Sequence, residues 1–256
     1  MFGGGADSAL DAAAAPSPRM QSVPMAPALD HLHGLHVATR GTVLAGTHTG
    51  LYAVGTSGRT ERVGARDDDL MGLAGVAQTD TLYSSGHPGP SSAAPNPLGL
   101  KESTDGGRTW RARSLAGEVD FHALASDGEL LVGFDGTGGL RVSTDRGTTW
   151  AAGAALPAAS LAIAADGVWA VTPDGLQRST DVALSFTVVE GAPDLVIVSA
   201  GADGSLWGVD AGGTAWRSDL SRSWQRVAEI GEVEALAAAD YGRAYAATSR
   251  VLHTLG

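Results

Sequence analysis

The sequence predicts an all-β fold, a six-bladed β-propeller whose blades are four-stranded antiparallel sheets. A short motif occurs four times at intervals close to 40 residues, which is the length of one propeller blade. Between its copies, short apolar runs are separated by Asp-Gly and similar turn signals, the pattern of β-hairpins. Glycine accounts for 36 of the 256 residues, as expected where many tight turns need positive φ angles.

The repeated motif carries Asp at its third position and an aromatic residue at its end. It reads STDGGRTW at 103–110, STDRGTTW at 143–150, STDVALSF at 179–186 and RSDLSRSW at 217–224. The aromatic ends follow one another after 40, 36 and 38 residues. We name these segments the repeat turns. We expect their Asp side chains to hold the turn backbone and their aromatic rings to pack between blades.

The blades follow in order along the chain. Blade 1 has no repeat turn and covers 34–63, with strands around Leu35, Val43 and Leu51, whereas blade 2 covers 70–113 and contains an insertion at 86–97. In blades 3 to 5 the first hairpins pair 121–125 with 129–134, 161–165 with 168–172, and 196–200 with 205–209. Trp169 and Trp207 lie in second strands and are expected in the core.

The last blade, 233–255, has only three predicted strands. We expect residues 19–25 to supply the fourth strand and close the ring, because closure removes the exposed sheet edges that invite aggregation. Residues 1–27 are rich in Ala, Pro, Gly and Ser and read as a flexible segment, followed by one propeller domain over 28–256. A segment of this composition is typical of the region directly behind a removed signal peptide, so we expect a secreted or cell-envelope protein.

Composition excludes several classes of function. The net charge of −11 repels phosphate backbones, so we expect no nucleic-acid partner. The chain has no cysteine, which excludes disulfides and thiolate ligands. No stretch approaches the roughly 18 apolar residues of a membrane span. We expect a monomer.

Polar residues recur at the blade starts and after the second strands. Because strands in a blade alternate in direction, these two positions lie on one face of the ring, and residues two apart point the same way. Five of the seven histidines fall there, whereas His36 and His253 do not and are interpreted as structural. The residues that we predict as metal ligands at this channel mouth are His31, His33, His48, Met71, His87, Asp120 and His122.

Histidine is the commonest protein metal ligand, and imidazole suits zinc, copper, iron and nickel. The thioether of Met71 shifts the preference towards copper, with zinc as the alternative, although Met71 could also plug the channel. Asp69 and Asp120 are expected to orient the ligand rings. The run 67–69 otherwise reads as a solvated acidic loop. The sequence thus favours an envelope protein that binds a transition metal, as a metal-handling or accessory protein.

The repeat turns resemble the Asp box of BNR-repeat propellers. The wider pattern is similar to a group of bacterial BNR-repeat proteins labelled glycosyl hydrolase, which are sialidase-like; the shared pieces are HLHG at 31–34, DLMG at 69–72, SGHPG at 85–89, NPLG at 96–99 and AGEVDFH at 116–122. The resemblance spans roughly residues 30–256. It implies a propeller. A glycosidase would in addition need two catalytic carboxylates, and Asp69, Asp120 and Glu234 at the channel mouth are the candidates.

Sialidases bind the sugar carboxylate with three arginines at the channel mouth, and none of the six blade starts here carries Arg. Sialidase activity itself is therefore not expected. A third hypothesis is an interaction scaffold that binds a protein partner or a glycan over the channel mouth. Its natural contact loop is the insertion at 86–97, because loops on a rigid frame carry function. Whether the protein is an enzyme is left open by the sequence.

Overall fold

The computed structural model describes residues 20–256, and these form 24 β-strands and one short 3-10 turn, Thr39–Gly41. The strands are grouped in six four-stranded antiparallel sheets, so the predicted fold class is confirmed. Within the described range, no helix is long and apolar enough to cross a membrane.

The strands are numbered in chain order. The first strand is β1 (Gln21–Pro24). Blade 1 contains β2 (Leu32–Val37), β3 (Val43–Thr47), β4 (Gly50–Val54) and β5 (Thr60–Val63). Blade 2 contains β6 (Asp69–Gly75), β7 (Leu82–His87), β8 (Leu100–Ser103) and β9 (Arg111–Ser114). Blade 3 contains β10 (Ala123–Ser126), β11 (Leu131–Phe134), β12 (Leu140–Ser143) and β13 (Ala151–Ala152).

The remaining blades have the same plan. Blade 4 contains β14 (Ser160–Ala164), β15 (Gly167–Thr172), β16 (Gly175–Ser179) and β17 (Thr187–Val188). Blade 5 contains β18 (Leu195–Ala200), β19 (Leu206–Asp210), β20 (Thr214–Ser218) and β21 (Trp224–Glu229). Blade 6 contains β22 (Ala235–Asp240), β23 (Arg243–Ala247) and β24 (Val251–Leu255), with β1 at its outer edge.

The innermost strand of each blade is its first strand. β2, β6, β10, β14, β18 and β22 pack side by side in a closed ring around the central channel. Apolar residues of adjacent blades form six buried clusters, one at each seam between blades. Trp169 and Trp207 are almost fully buried in these clusters, as predicted.

The ring is closed by the N-terminal strand. β1 pairs antiparallel with β24, from Gln21 opposite Thr254 to Pro24 opposite Val251, which confirms the predicted closure. The propeller therefore includes residues that the boundary at residue 28 assigns to the N-terminal segment, because pairing with β24 overrides their loop-like composition. Residues 1–19 of that segment lie outside the described residues.

Three of the four repeat turns share one hydrogen-bond pattern. The Gly107 N–H donates to Ser103 Oγ at 2.8 Å, and Thr109 donates its N–H and hydroxyl to Asp105 at 2.9 and 2.6 Å. The same pattern joins Ser143, Asp145, Gly147 and Thr149, and again Ser179, Asp181, Ala183 and Ser185. The fourth turn departs from it: Ser218 lies opposite Leu206 as Ser143 lies opposite Leu131, but Asp219 follows this serine directly and accepts the Ser221 N–H at 2.8 Å. Trp110, Trp150, Phe186 and Trp224 pack against seam clusters, as predicted.

The acidic run 67–69 is predicted to be a solvated loop, and this prediction is wrong for Asp68. Asp68 is buried and pairs with the buried Lys101 ammonium, and it also accepts the Gly89 N–H at 3.1 Å. Asp67 accepts hydrogen bonds from the Ser91 hydroxyl and N–H. The run is therefore an anchor for the insertion, because partners distant in sequence satisfy its charge.

Candidate histidine centre at the channel mouth

The central channel is a cavity of about 1030 Å³ lined by the innermost strands. Small residues such as Ala123, Ala125, Ala162 and Ala237 leave it open. Of the predicted polar residues, His33, His122 and Glu234 line the channel.

Turns and bulges aim the side chains of blades 1 and 2 at this mouth. His33 lies in a β-bulge of β2 between Leu32 and Gly34, and a second bulge in β6 follows Asp69. Bulges commonly re-aim side chains beside functional sites. His48 occupies the β3–β4 turn, which is closed by a hydrogen bond from the Thr47 hydroxyl to the Gly50 carbonyl at 3.0 Å.

His33, His48 and Asp69, the first histidine cluster, converge across the seam between blades 1 and 2. One ligand atom from each lies within 4.8 Å of the other two. His48 Nδ1 is 2.9 Å from Asp69 Oδ2, and His33 Nε2 is 3.2 Å from both His48 Nδ1 and Asp69 Oδ1. Two imidazoles and a carboxylate at these separations form the kind of donor set that binds a transition metal.

The electrostatics of this cluster suit a cationic ligand. Burial lowers the pKa of His33 to about 4, because loss of hydration outweighs the attraction of Asp69. The ring is therefore neutral at pH 7 and can offer a lone pair. Among the described residues, Asp69 Oδ1 is a buried carboxylate oxygen that receives no hydrogen bond. Such atoms in folded proteins call for an explanation, and a bound cation is one.

His31 and Glu234 lie beside the first cluster. His31 Nδ1 is 3.0 Å from Glu234 Oε2, and the His31 ring is 5.0 Å from the His33 ring and stacked 5.5 Å from the His48 ring. Glu234 also accepts the Leu32 N–H at 2.7 Å and the Ser249 N–H at 2.8 Å. Oε2 thus joins blade 6 to blade 1 and Oε1 holds the β23–β24 turn of blade 6, which is a structural use of the carboxylate.

His87, Asp120 and His122, the second histidine cluster, lie at the seam between blades 2 and 3. His87 Nε2 and His122 Nε2 are each 3.2 Å from Asp120 Oδ2. The other nitrogen of His87 lies 2.7 Å from Asn96 Oδ1 in the insertion. Asn96 begins the NPLG piece at 96–99, but its pairing with His87 is not predicted from the sequence.

Backbone packing brings the two clusters together. Gly86 has a φ of +135°, and a Cβ there would lie 2.0 Å from the Asp69 carbonyl oxygen, so only glycine fits. His87 is consequently the cross-strand partner of Asp69. The buried Ser85 hydroxyl accepts the Phe121 N–H at 2.9 Å, which holds the start of blade 3 against blade 2.

The predicted ligand set thus divides into two neighbouring clusters. Met71 lies half-buried in the bulge of β6, and its role as a thioether ligand stays a prediction. The two remaining histidines are placed elsewhere: His36 is 2.9 Å from the Thr79 carbonyl oxygen, and His253 Nδ1 is 2.8 Å from the Ser22 hydroxyl of the closing strand. Both are structural contacts, in agreement with the interpretation of their positions.

Comparisons with known proteins find relatives in structure alone. No protein-family model matches the chain, and no curated protein sequence matches it. A gluconolactonase from Xanthomonas campestris superposes with a TM-score of 0.66 at 13% identity, covering 93% of this chain and 89% of the other.

Two further solved structures share the fold over nearly their whole length. A streptogramin B lyase superposes with a TM-score of 0.65 at 13% identity, covering 94% of this chain and 98% of the lyase. YCF48 bound to D1 peptide superposes with a TM-score of 0.57 at 14% identity, covering 92% and 96%. At such identities the likeness establishes architecture and leaves chemistry open. The chain is a six-bladed β-propeller.

Proposed function

We propose that this protein binds a transition-metal ion through His33, His48 and Asp69 at the mouth of its channel. The observation that carries the proposal is the mutual approach of their ligand atoms, all within 4.8 Å of one another. The three residues come from two blades and three separate chain segments, so the fold has to be complete before they meet.

The donor set decides the class of metal. Two imidazoles and one carboxylate suit zinc and copper(II), and they disfavour magnesium and calcium, which prefer all-oxygen sites. Three protein ligands leave a fourth position for water or a substrate. We favour copper because the thioether of Met71 lies in the same strand as Asp69, and we keep zinc as the alternative.

The test is metal analysis of tag-free protein that has been stripped with a chelator and titrated with copper(II) or zinc. We expect His33→Ala with His48→Ala to abolish binding at this cluster, because one carboxylate cannot hold the ion alone. Asp174→Ala is the matched control: Asp174 lies in the equivalent turn of blade 4, closed by the Thr172–Gly175 hydrogen bond at 3.0 Å. It should bind metal like the wild type.

Stoichiometry and affinity unchanged in the double variant, with its melting temperature retained, would overturn the assignment. If the variant lost metal and also unfolded, His48→Gln would replace it. His48 is exposed in the β3–β4 turn, so that substitution changes a ligand without disturbing the core.

Catalysis by the bound metal is a second candidate. The channel opens directly beside the clusters and has room for a small molecule, and lactonase and lyase propellers share the fold. Turnover of gluconolactone or of a streptogramin that needs both metal and His48 would support this candidate. Turnover of aryl glycosides that depends on Asp69 or Asp120 would instead support the glycosidase hypothesis.

We further propose that the repeat turns are Asp boxes of the BNR type. Two of the turns share the hydrogen bonds among Ser, Asp and Thr, and in a third turn Ser185 takes the place of the Thr. The scaffold hypothesis keeps one supporting feature, since most residues of the insertion between Pro90 and Asn96 are exposed. A protein or glycan bound over the mouth would contact this segment first.

A further inference from the structure

A His–Asp pair at the first seam is repeated at the next seam. His48 follows the second strand of blade 1 and contacts Asp69 at the start of blade 2, at 2.9 Å. One blade on, His87 ends the second strand of blade 2 and contacts Asp120 at the start of blade 3, at 3.2 Å. The pair occupies equivalent positions of the repeat, so the second seam repeats the His–Asp contact of the first, although the three ligand atoms of the second cluster do not all lie within 4.8 Å of one another as they do in the first.

Each cluster contains a second imidazole, and the two come from different sides of their seams. In the first cluster it is His33 of blade 1, the blade that precedes Asp69. In the second cluster it is His122, which lies at the start of blade 3 like Asp120 and is 3.2 Å from Asp120 Oδ2. Neighbouring ligand atoms around a tetrahedral ion with bonds of about 2.0 Å lie roughly 3.3 Å apart. The separations of both imidazoles from Asp120 match this value.

The hydrogen bond of His87 to Asn96 defines which ring nitrogen faces the carboxylate. A carbonyl oxygen only accepts, so His87 Nδ1 donates its proton to Asn96 Oδ1 at 2.7 Å. Nε2 is then the ring nitrogen that faces Asp120 Oδ2, at 3.2 Å. The arrangement is the one in which a metal-ligating imidazole is oriented by a partner on its other nitrogen.

Asp120 has an unexplained buried oxygen as well. Its side chain is 13% exposed, and, within the described part of the chain, its Oδ1 is buried with no hydrogen-bond partner. Asp69 Oδ1 in the first cluster is in the same state. By contrast, the side chains of His87 and His122 are 46% and 55% exposed, so both rings can turn to enclose an ion.

We propose that His87, Asp120 and His122 form a second transition-metal site, separate from the first, so that the propeller carries two ions at one mouth. The donor set is again imidazole and carboxylate, which suits zinc and copper(II). The two sites are neighbours, since Asp69 of one and His87 of the other are cross-strand partners. This proposal rests on the metal-binding function proposed above, but the second site shares no residue with the first.

The experiment is zinc titration of chelator-stripped, tag-free protein, with bound metal measured by mass spectrometry after dialysis. We expect two equivalents in the wild type and one in His87→Ala with His122→Ala. We also expect one equivalent in His33→Ala with His48→Ala, and none when all four substitutions are combined. Asn96→Ala should weaken the second site about 10-fold to 100-fold and leave the first unchanged, because it orients His87 without touching the ion.

Wild-type zinc content and affinity in His87→Ala with His122→Ala would overturn the second site. That result is distinguishable from failure of the first site, in which His33→Ala with His48→Ala would change nothing while the other pair still lost one equivalent. Magnesium or calcium displacing zinc from the second site at equal concentration would also overturn the proposal. Melting curves of each variant confirm that the fold is retained, and Asp174→Ala again serves as the unchanged control.

Discussion

At the scale of single residues, a buried ion pair lies next to the first histidine cluster in the chain. Asp68 precedes Asp69, is paired with the buried Lys101, and also receives a backbone N–H from the insertion that carries Asn96. The Lys101 ammonium lies 5.6 Å from the centre of the Trp110 ring. The pair thereby connects the start of blade 2, its third strand and the loop that orients His87.

We expect Lys101→Met to destabilise the protein by about 3–5 kcal/mol, because it leaves the Asp68 carboxylate buried without its counter-charge. Chemical denaturation measures the change in the free energy of unfolding. The double variant Asp68→Asn with Lys101→Met is the control, and it should recover much of the loss since no buried charge is left unpaired. Equal losses in single and double variants would contradict this account.

At the scale of elements, the repeat turns are hairpins whose Asp residues are held in the ionised form. Hydrogen bonds from the Ser185 hydroxyl and N–H lower the pKa of Asp181 to about 2, against an ordinary value of 3.8. A carboxyl with a depressed pKa stabilises the fold above its ordinary pKa, and that stabilisation is lost as the pH falls through the depressed value. The turns should therefore weaken between about pH 4 and pH 2.

We expect Ser185→Ala to be less stable than the wild type at neutral pH, with a difference that shrinks as the pH falls from about 4 to about 2, where Asp181 protonates in both proteins. Unfolding midpoints in denaturant across this range measure it. Thr39→Ala is a control at another exposed hydroxyl–carboxylate hydrogen bond, to Asp80 at 2.6 Å, outside the repeat turns. A difference that stays constant with pH would show that the Ser185 hydroxyl does not act through Asp181.

At the scale of the whole molecule, the ring is stable because its last sheet is completed by its first strand. β1 covers the edge of β24, and Met25 packs in the core of the seam between blades 6 and 1. Glu234 joins the same two blades through the Leu32 N–H, across 202 residues of chain. The contacts between neighbouring blades therefore run without interruption from the closing seam to the two seams that carry the histidine clusters.

A chain that starts at residue 29 lacks β1 and Met25, and we expect it to melt roughly 10 °C lower or more, since loss of one buried Met side chain alone costs about 2–5 kcal/mol. Its unpaired β24 edge should also promote association. Thermal melting and light scattering measure the two effects. A chain that starts at residue 20 is the control, because it keeps β1 and Met25. A truncated protein that melts like the control would show that closure adds little to stability.

Local patterns in the sequence were enough to determine the architecture of this protein. The repeat period and the Asp-Gly hairpins predicted six blades, because each depends on residues close together in the chain. The missing strand of blade 6 predicted the closure, because an open ring would leave a sheet edge exposed. Strand alternation also placed five histidines on one face. Pairing was decided only by tertiary structure: which imidazole meets which carboxylate, the burial of Asp68 against Lys101, and the contact of Asn96 with His87. These contacts join segments that the sequence keeps apart, and side-chain positions across a seam depend on packing that no local pattern encodes.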